Sequence, residues 1–513
     1  MNNPLLEGQQ SRLAEPCSLV IFGATGDLTA RKIVPALYNL LKDGQLPSLF
    51  TCIGFARRPK TDDQFRAEMK DGVNKYSRTQ PIDEAIWSHF QDHLFYHQSE
   101  FHDDAGYESL KAQLQQYDIK YGTKGNRIFY LATQPESFPL ICEKLHKADL
   151  IYDEKQVKDQ KNDPKNDRWS RIIIEKPFGH DLNSAHQLQD ELLKFLTEKQ
   201  IYRIDHYLGK ETVQNLLVFR FANSIFEALW NNRHIDHIQI TVAEDIGIGT
   251  RGKFFENAGL LRDMIQNHTM QILSLVAMEP PVSLEADAIR DQKVKALEAI
   301  RPLKIENVVR GQYGPGLING EQVVGYRQEN DVNPQSAIET YVALKLEIDN
   351  PRWKGVPFYL RAGKRLPKKT TEVAVIFKDA PGDLFQNGNR KNPPNLLVIR
   401  IQPDEGSSLK INCKVPGPTN TLQPVKMDFR YGSYFGTTPP EAYERLICDC
   451  IIGDSTLFAR QDEVFNSWKL LTPLLEGWAK NPPQDFPNYP AGSWGPKTAD
   501  QLIEADGRKW RLL

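Results

Sequence analysis

Continuous apolar runs separated by helix-like segments characterise the first part of the chain. Residues 18–22 form the first run, and Ile33, Leu37, Leu40 and Leu41 form the stripe of a helix that follows it. Similar runs lie at 51–55, 128–132 and 172–174, and a shorter one precedes Asp205. Strands that are apolar throughout are typical of a parallel sheet with both faces buried. This part of the chain therefore predicts an α/β domain.

The pattern changes after Tyr341, where apolar and polar positions alternate. Strand patterns lie at 341–348, 373–377, 396–401 and 409–413, and an earlier one ends at Glu244. Helix-length segments do not separate most of these strands, so the pattern predicts a mostly antiparallel sheet that is covered by helices on one face. Helical patterns return at 442–452 and 464–478, and the residues from Pro482 onward predict irregular structure.

Composition and charge narrow the classes of protein. The chain has 513 residues, of which 40% are hydrophobic and 25% charged, values that are typical of a globular protein with a large core. Its formal net charge of −2 at pH 7 gives no electrostatic basis for binding nucleic acid or a membrane surface. Six cysteines at irregular spacings predict neither a disulfide framework nor a metal site. The N-terminal residues lack the apolar stretch of a secretion signal, so we expect a soluble, cytoplasmic protein.

A glycine turn follows the first strand and opens the first helix. It is made of Gly23, Ala24, Thr25, Gly26, Asp27 and Leu28. This order places backbone N–H groups at a helix N-terminus, where they can bind a pyrophosphate, although the spacing is not the full dinucleotide fingerprint and ordinary tight turns also use glycine. The second strand ends at Arg57 and Arg58, whose planar guanidinium groups suit a 2′-phosphate better than a ribose hydroxyl. The two arginines predict NADP, and the alternative is a basic pair on the surface.

These patterns divide the chain into three parts. Residues 1–16 predict a flexible extension, 17–205 a Rossmann-like dinucleotide-binding domain, and 206–513 an α+β domain. The predicted fold class is thus an α/β Rossmann-like domain plus a larger α+β domain with a mostly antiparallel sheet. The mixed-charge residues 153–168 predict an exposed insertion in the first domain.

Two groups of residues offer candidate chemistry. Lys176 follows a predicted parallel strand, whose carboxyl end faces the ligand crevice, so we favour a ligand role over a simple strand end. The run from Ile201 to Glu211 brings a carboxylate at Asp205 together with a ring N–H, a hydroxyl and an ammonium at His206, Tyr207 and Lys210. The last three suit a phosphate dianion. A solvated strand-to-helix turn is an equally acceptable interpretation of these residues alone.

His268 lies on an apolar helical stripe with Leu261, Met264, Ile265 and Ile272. A histidine in such a position is more often a hydrogen-bonded core residue than a catalyst. The pattern by itself therefore favours a structural role for this side chain.

Three motifs occur in an order that resembles the glucose-6-phosphate dehydrogenase family. They are Gly-Ala-Thr-Gly-Asp-Leu from Gly23, Glu-Lys-Pro-Phe-Gly from Glu175 and Arg-Ile-Asp-His-Tyr-Leu-Gly-Lys-Glu from Arg203. The third motif is highly specific, and the resemblance extends through Arg262–His268 and Leu360–Lys364, so it covers most of the chain. It implies NADP-dependent oxidation of glucose 6-phosphate at C1 to 6-phosphogluconolactone, the first step of the oxidative pentose phosphate pathway. It also implies a homodimer or homotetramer formed through the sheet domain, whose uncovered face would supply the contact.

The resemblance further implies residue roles. It implies that His268 is the general base, which replaces the structural role that the hydrophobic pattern favours. It also implies that Asp205 holds the His268 ring in one tautomer. The implied substrate-binding residues are Lys176, His206, Tyr207, Lys210, Glu244, Asp263, Lys364 and Lys369. The expected cofactor-binding residues are Gly23, Ala24, Thr25, Gly26, Asp27, Leu28, Lys32, Arg57, Arg58, Tyr130 and Lys176, and no metal is expected.

Two other functions stay open. An NADP-dependent oxidoreductase that acts on a non-phosphorylated sugar would share the Lys-Pro element but would not require the cluster at 206–210. A non-catalytic NADP sensor would be expected to lack Asp205 or His268, and both are present.

Overall fold

The computed structural model describes residues 14–152, 168–380, 392–436 and 439–513. Most of the predicted N-terminal extension and nearly all of the predicted insertion at 153–168 lie outside the described residues. The strands of the first part are β1 Cys17–Phe22, β2 Phe50–Ala56, β3 Leu94–Gln98, β4 Arg127–Leu131, β5 Ser170–Glu175 and β6 Ile201–Ile204. Those of the second part are β7 Ile235–Ala243, β8 Val308–Gly311, β9 Tyr313–Gly314, β10 Gly316–Ile318, β11 Glu321–Val323, β12 Tyr341–Glu347, β13 Pro357–Gly363, β14 Thr370–Phe377, β15 Leu396–Gln402, β16 Gly406–Lys414, β17 Leu422–Arg430 and β18 Tyr489–Pro490.

Helices connect and cover these strands. The α-helices are α1 Val34–Lys42, α2 Asp62–Tyr76, α3 Glu84–Gln91, α4 Asp104–Tyr121, α5 Phe138–Lys147, α6 Leu182–Leu193, α7 Glu211–Phe221, α8 Ser224–Leu229, α9 Gly252–Leu260, α10 Met270–Ala277, α11 Ala286–Glu298, α12 Tyr431–Phe435, α13 Ala442–Ile452, α14 Gln461–Lys480 and α15 Lys497–Glu504. Wider π-helical segments lie at Thr29–Ile33 and Leu261–Thr269, and short 3₁₀ turns at Pro135–Ser137, Glu198–Gln200, Gly249–Arg251, Ile305–Asn307 and Tyr326–Gln328. No helix among the described residues is long and apolar enough to cross a membrane.

The first six strands form a parallel sheet in the order β3-β2-β1-β4-β5-β6. This is the strand order of a dinucleotide-binding fold, so the predicted Rossmann-like domain is confirmed. Strand β1 is buried at every position, as its continuous apolar run predicts. Strand β3 was not predicted, because its sequence has only three apolar residues before it turns polar.

The second part is built on an eight-stranded sheet in the order β17-β16-β15-β14-β7-β13-β12-β8. Strands β7 and β13 are parallel, and all other neighbours in this sheet are antiparallel. The predicted mostly antiparallel sheet is therefore confirmed. Directly paired residues share a face, and the buried row made by Ile238, Val375 and Leu397 lies on the apolar face that the helices cover.

The C-terminal segment lies on the opposite, polar face of this sheet. Gln239 Nε2 donates to the Lys509 carbonyl at 2.8 Å, and Arg511 pairs with Glu372 at 2.6 Å. The expectation that this face of the sheet is uncovered is therefore wrong for the central strands β7 and β14, which the C-terminal segment contacts. The expectation of irregular structure after Pro482 is also wrong in one place, since helix α15 forms there between turns rich in proline and glycine and was too short to stand out as a pattern.

Helix α13, in the second part of the chain, packs against the first domain. Arg171, on β5, donates to the carbonyl oxygens of Cys450 at 2.6 Å and Ile451 at 2.7 Å. On α1, Asn39 donates to the buried Glu444 carboxylate at 2.9 Å. Helix α13 therefore helps to form the wall of the crevice beside the parallel sheet. The domain limits at 17–205 and 206–513 stay a prediction.

Candidate active site

The crevice lies at the carboxyl edge of the parallel sheet. Strands β5 and β6 are paired in a register that sets Glu175 opposite Ile204, so Lys176 and Asp205 leave the sheet side by side. The carboxyl ends of parallel strands meet at one edge, which is where ligands bind in open α/β sheets. Lys176 and Asp205, which the sequence analysis identified at the ends of predicted strands, therefore lie at the same edge of the sheet.

His268 enters this crevice from the buried π-helical segment Leu261–Thr269. Lys176 Nζ lies 3.0 Å from His268 Nε2, and Asp205 Oδ1 lies 2.5 Å from His268 Nδ1. A lysine ammonium can only donate, so Nε2 accepts and the ring proton is on Nδ1, from which it is donated to Asp205. The structure thus defines the tautomer of a histidine–aspartate pair whose members are 63 residues apart in sequence.

Burial and neighbouring charges set the protonation of this pair. Burial lowers the pKa of His268 below its usual value, although Asp205 acts in the opposite direction. Burial alone would raise the pKa of Asp205, but the charge of His268 and their hydrogen bond outweigh it and lower that pKa to about 2. At neutral pH, His268 is therefore neutral and Asp205 is ionised, which is the state that a general base requires.

A row of alternating charges forms one wall of the crevice. Lys176 Nζ is 3.2 Å from Asp263 Oδ1, and Lys364 Nζ is 3.6 Å from the other oxygen of the same carboxylate. Lys364, fully buried at the end of β13, also pairs with Glu244 at 2.5 Å. These residues hold the pKa of the Asp263 carboxyl well below its usual range, because the attraction of Lys176 and Lys364 exceeds the cost of burial. The structure brings together four predicted substrate residues, two acids and two ammonium groups.

A second cluster adjoins the histidine–aspartate pair. The Tyr207 ring stacks on the His268 ring with centroids 4.3 Å apart, and the His206 ring meets His268 edge-on at 4.6 Å. Gln402 joins Tyr207 to Lys210, since its Nε2 donates to the tyrosine hydroxyl at 3.0 Å and its Oε1 accepts from the lysine at 2.7 Å. No sequence signal pointed to Gln402, which merely ends the strand pattern of β15.

A cavity of about 580 Å³ opens beside His206 and Lys210. Burial lowers the pKa of Lys210, and the charges of Lys369 and Lys32 lower it further, against Glu405 and Glu441. The basic residues on the cavity wall, Lys32, Lys210 and Arg430, offer donors to an anion, and they lie among the acids Asp404, Glu405 and Glu441. The cavity lining comprises Lys32, His206, Lys210, Pro403, Asp404, Glu405, Arg430, Tyr431, Gly432, Ser433, Pro439, Pro440, Glu441, Ala442 and Tyr443.

Lys32 lies on the wall of this cavity. It was predicted as part of the cofactor turn, but its ammonium pairs with Glu441 at 2.7 Å and faces the same space as His206 and Lys210. Lys369 is exposed, and its charge acts on Lys210. The structure therefore groups both lysines with the predicted phosphate cluster.

The glycine turn lies at the end of β1, where the strand order of the sheet reverses. Gly23 has a φ of +81°, and a Cβ there would lie 2.4 Å from the Ala132 carbonyl oxygen, so only glycine fits. The Gly26 N–H donates to the Gly23 carbonyl at 2.9 Å, which closes the turn, and Asp27 pairs with Arg31 at 3.1 Å. Ala24 is buried below the turn, whereas Thr25 and Leu28 are half-buried.

The other predicted cofactor residues lie beside this turn. Arg57 and Arg58 are exposed just beyond β2, and neither guanidinium has an ion pair among the described residues. Such a donor set fits the 2′-phosphate and pyrophosphate of NADP. Tyr130 is fully buried and its hydroxyl donates to Glu175 at 2.5 Å, so its contact with the cofactor stays a prediction.

Asp205, His206 and His268 offer three potential metal ligands within 4.8 Å of one another. Both nitrogens of His268 are already hydrogen-bonded, however, one to Asp205 and the other to Lys176. The lysine ammonium would also repel a cation at this position. The geometry therefore favours proton transfer at His268 over metal binding.

A dinucleotide-binding sheet whose carboxyl edge holds a neutral histidine, beside a cavity with lysine donors on its wall, is typical of a nicotinamide-dependent oxidoreductase of the dehydrogenase class. Two family models divide nearly the whole chain between them: "Glucose-6-phosphate dehydrogenase, NAD binding domain" matches residues 20–215, and "Glucose-6-phosphate dehydrogenase, C-terminal domain" matches residues 217–511. The chain belongs to the glucose-6-phosphate dehydrogenase family.

Individual relatives agree with this membership. A glucose-6-phosphate 1-dehydrogenase of Chlamydia pneumoniae is 58% identical over 506 residues, which cover 98% of this chain and 97% of that protein. One of Bacillus subtilis is 45% identical over 496 residues, covering 96% and 97%. A solved glucose-6-phosphate dehydrogenase in complex with its substrate glucose-6-phosphate has a TM-score of 0.87 at 36% identity, and covers 98% of this chain and 100% of that one. A glucose-6-phosphate 1-dehydrogenase from Mycobacterium avium has a TM-score of 0.81 at 37% identity, covering 98% and 99%.

Proposed function

We propose that the chain oxidises glucose 6-phosphate at C1 to 6-phospho-D-glucono-1,5-lactone with NADP as the cofactor, the first step of the oxidative pentose phosphate pathway. The observation that carries this proposal is the neutral Nε2 of His268, which accepts from the Lys176 ammonium and adjoins a cavity with Lys32 and Lys210 on its wall. A base and an anion site side by side fit a sugar whose reacting hydroxyl and phosphate are at opposite ends.

His268 would act as the base through Nε2. This nitrogen accepts the proton of the C1 hydroxyl, while Asp205 holds the ring and stabilises the imidazolium that forms. NADP⁺, when bound, supplies the acceptor for the hydride that leaves C1. In the structure Lys176 donates to Nε2. In the complex, the oxygen of the C1 hydroxyl would take the place of the ammonium beside Nε2, and Lys176 would contact that oxygen.

The phosphate would bind in the second cluster. His206, Tyr207 and Lys210 offer a ring nitrogen, a hydroxyl and an ammonium, and the ammonium groups of Lys32 and Lys369 lie close enough to act on Lys210. The carboxylates of Glu244 and Asp263 would accept hydrogen bonds from sugar hydroxyls. Lys364, which lies between these two acids, would fix their positions and reach the sugar.

The residues that would hold NADP lie at the ends of β1 and β2. Backbone N–H groups of the turn Gly23–Leu28 would bind the pyrophosphate, and Arg57 and Arg58 the 2′-phosphate. Lys176 would lie between cofactor and substrate. The exposed guanidinium groups and the open turn support this assignment.

We further propose that copies of the chain associate through the outer strands of the large sheet. The apolar row that includes Leu397 continues onto Leu409 and Met427, and next to them onto Ile411 and Val425. Met427 is 54% exposed and Val425 44% exposed, beyond the cover of the helices. A second copy that covered this stripe would remove its apolar surface from water.

The cytoplasmic location stays a prediction from the sequence.

Absorbance at 340 nm tests the reaction, because NADPH absorbs there and NADP⁺ does not. We expect turnover with glucose 6-phosphate and NADP, a slower rate with NAD, and little with unphosphorylated glucose. Equal rates with glucose would favour the oxidoreductase for non-phosphorylated sugars. Tight NADP binding without turnover of either sugar would favour the sensor.

A further inference from the structure

The segment that joins β2 to α2 carries the two arginines proposed to bind the 2′-phosphate, and it belongs to neither element. It lies between Ala56, the last residue of β2, and Asp62, the first residue of α2. Both Arg57 and Arg58 are exposed. A loop of this kind presents its side chains in one place only where neighbouring residues hold its backbone.

Tyr96, on the neighbouring strand β3, holds this segment at both ends. Its hydroxyl donates to the Arg58 carbonyl oxygen at 2.5 Å, and the Ala56 carbonyl oxygen lies 3.1 Å from the same hydroxyl. The backbone N–H of Tyr96 donates to Asp62 Oδ1 at 2.7 Å. The Ala56 carbonyl also accepts from the Ser99 N–H at 3.1 Å, so the end of β2 keeps a donor without the hydroxyl. The hydroxyl of Tyr96 therefore acts mainly on the backbone of Arg58.

The Tyr96 ring is itself fixed by packing. It is buried, and its centroid lies 5.3 Å from that of Phe65 on α2. Tyr96 is paired with Gly54 of β2, where a Cβ would lie 2.6 Å from the Phe65 ring and 2.8 Å from the Ala24 Cβ. Phe65 thus fills the space above Gly54, between the glycine turn and Tyr96. This packing holds the hydroxyl against the segment that carries the arginines.

We propose that Tyr96 is a positioning residue for cofactor selection, whose hydroxyl fixes the backbone from which Arg57 and Arg58 reach the 2′-phosphate of NADP. A segment that is ordered before binding loses less conformational entropy when the phosphate binds. NAD has no 2′-phosphate, so its binding does not depend on this contact. The inference rests on the proposed function, because it needs the two arginines to contact that phosphate.

Tyr96→Phe tests this role, because it removes the hydroxyl and keeps the ring. The Kd values of NADP⁺ and NAD⁺ are measured by calorimetry without sugar. We expect NADP⁺ to bind about three- to tenfold more weakly, the effect of one lost hydrogen bond, and NAD⁺ to stay within about twofold of the wild type. The KM for NADP should rise by the same factor with little change in kcat, since β3 and β6 are opposite edges of the parallel sheet.

Tyr107→Phe is the matched control. Tyr107, on α4, is buried like Tyr96, and its hydroxyl donates to the Phe101 carbonyl at 3.0 Å. The substitution removes the same kind of hydrogen bond in the same domain, but not one to the arginine segment, so both Kd values should stay within about twofold of the wild type. The urea midpoints of the two variants report any general loss of stability, which would weaken both cofactors alike.

A background without the arginines separates this role from the 2′-phosphate assignment. In Arg57→Gln/Arg58→Gln, the addition of Tyr96→Phe should weaken NADP⁺ binding no further, because the hydroxyl acts through the arginines.

The proposal is overturned if Tyr96→Phe binds NADP⁺ like the wild type, weakens both cofactors equally, or has its full effect in the background without the arginines. A wild type that binds NADP⁺ no better than NAD⁺ would contradict the proposed cofactor, and this inference with it.

Discussion

The proton on the His268 ring is fixed by two residues that act from opposite sides. Lys176 can only donate, and Asp205 accepts, so the nitrogen that faces the crevice has a free lone pair once the substrate hydroxyl replaces the lysine. Burial keeps this ring neutral at neutral pH. We therefore expect the reactivity of the proposed site to depend on His268 more than on any other side chain.

His268→Asn should lower kcat with glucose 6-phosphate by about three orders of magnitude, because general base catalysis contributes on the order of 10²–10⁴-fold. The substrate Kd, measured by calorimetry, should change by less than about threefold. His206→Asn is the matched control, since the same substitution one ring away should raise KM and affect kcat far less. A His268 variant with near-normal kcat would remove this residue from the role of base.

Asp205→Asn tests the electrostatic support of the base. Asp205 raises the pKa of His268, so its loss should move the acidic limb of the kcat profile to lower pH. At neutral pH, kcat should fall by roughly 10²-fold, because the imidazolium loses its partner. A limb that moved to higher pH would show that Asp205 does not raise the pKa of His268.

We propose that the two arginines after β2, Arg57 and Arg58, give the preference for the phosphorylated cofactor. Replacing Arg57 and Arg58 by glutamine should raise KM for NADP by at least about tenfold, with little change in KM for NAD, because only NADP has the 2′-phosphate. Parallel titrations with both cofactors measure the difference. Equal losses for the two would show that the arginines do not contact this group.

At the scale of elements, a buried ion pair joins the helices behind the crevice. Lys293 on α11 and Glu463 on α14 are 2.6 Å apart, with side chains 1% and 0% exposed. Breaking such a pair leaves one charge buried without a partner, which costs far more than the intact pair contributes. Removal of one charge alone should therefore destabilise the packing of these helices.

Lys293→Met should lower the free energy of unfolding by about 3–5 kcal/mol, seen as a lower midpoint in urea. The double variant Lys293→Met/Glu463→Leu should recover most of that loss, because it leaves no unpaired charge. A single variant as stable as the wild type would show that the pair is not a stabilising contact.

Sequence patterns predicted those elements whose burial is uniform. Strand β1 and the parallel sheet of the first domain were predicted from continuous apolar runs, whereas β3 has too few apolar residues and α15 too few turns to be recognised. The helix around His268 was predicted as a simple amphipathic one, but the segment Leu261–Thr269 is π-helical and buried nearly throughout. Its wider turn cannot be read from hydrophobic spacing.

The candidate site shows a similar limit. Side chains within one motif, such as Asp205 and His206, could be predicted together because sequence proximity places them together. The hydrogen bonds of Gln402, the side of the crevice that Lys32 faces, and the parallel rings of His206 and Tyr443 depend on how distant segments meet. Only the assembled fold shows those contacts.

At the scale of the whole molecule, helix α13 of the second part lies beside the crevice of the first, and the large sheet leaves an apolar stripe at its outer strands. Met427→Glu should shift the sedimentation coefficient toward that of a monomer, because a charge would be buried in the contact. Lys426→Glu, on the opposite face of the same strand, should leave the association unchanged. A Met427 variant that sediments like the wild type would place the contact elsewhere.

The most direct test of the central claim, that a base and a phosphate site adjoin, is the ratio of kcat/KM for glucose 6-phosphate to that for glucose, measured with NADP. We expect a wild-type preference of at least about 10³-fold, and a loss of most of it in Lys210→Gln, while activity on glucose stays the same. A wild type that oxidises both sugars equally, or a Lys210 variant that loses both activities in parallel, would contradict this claim.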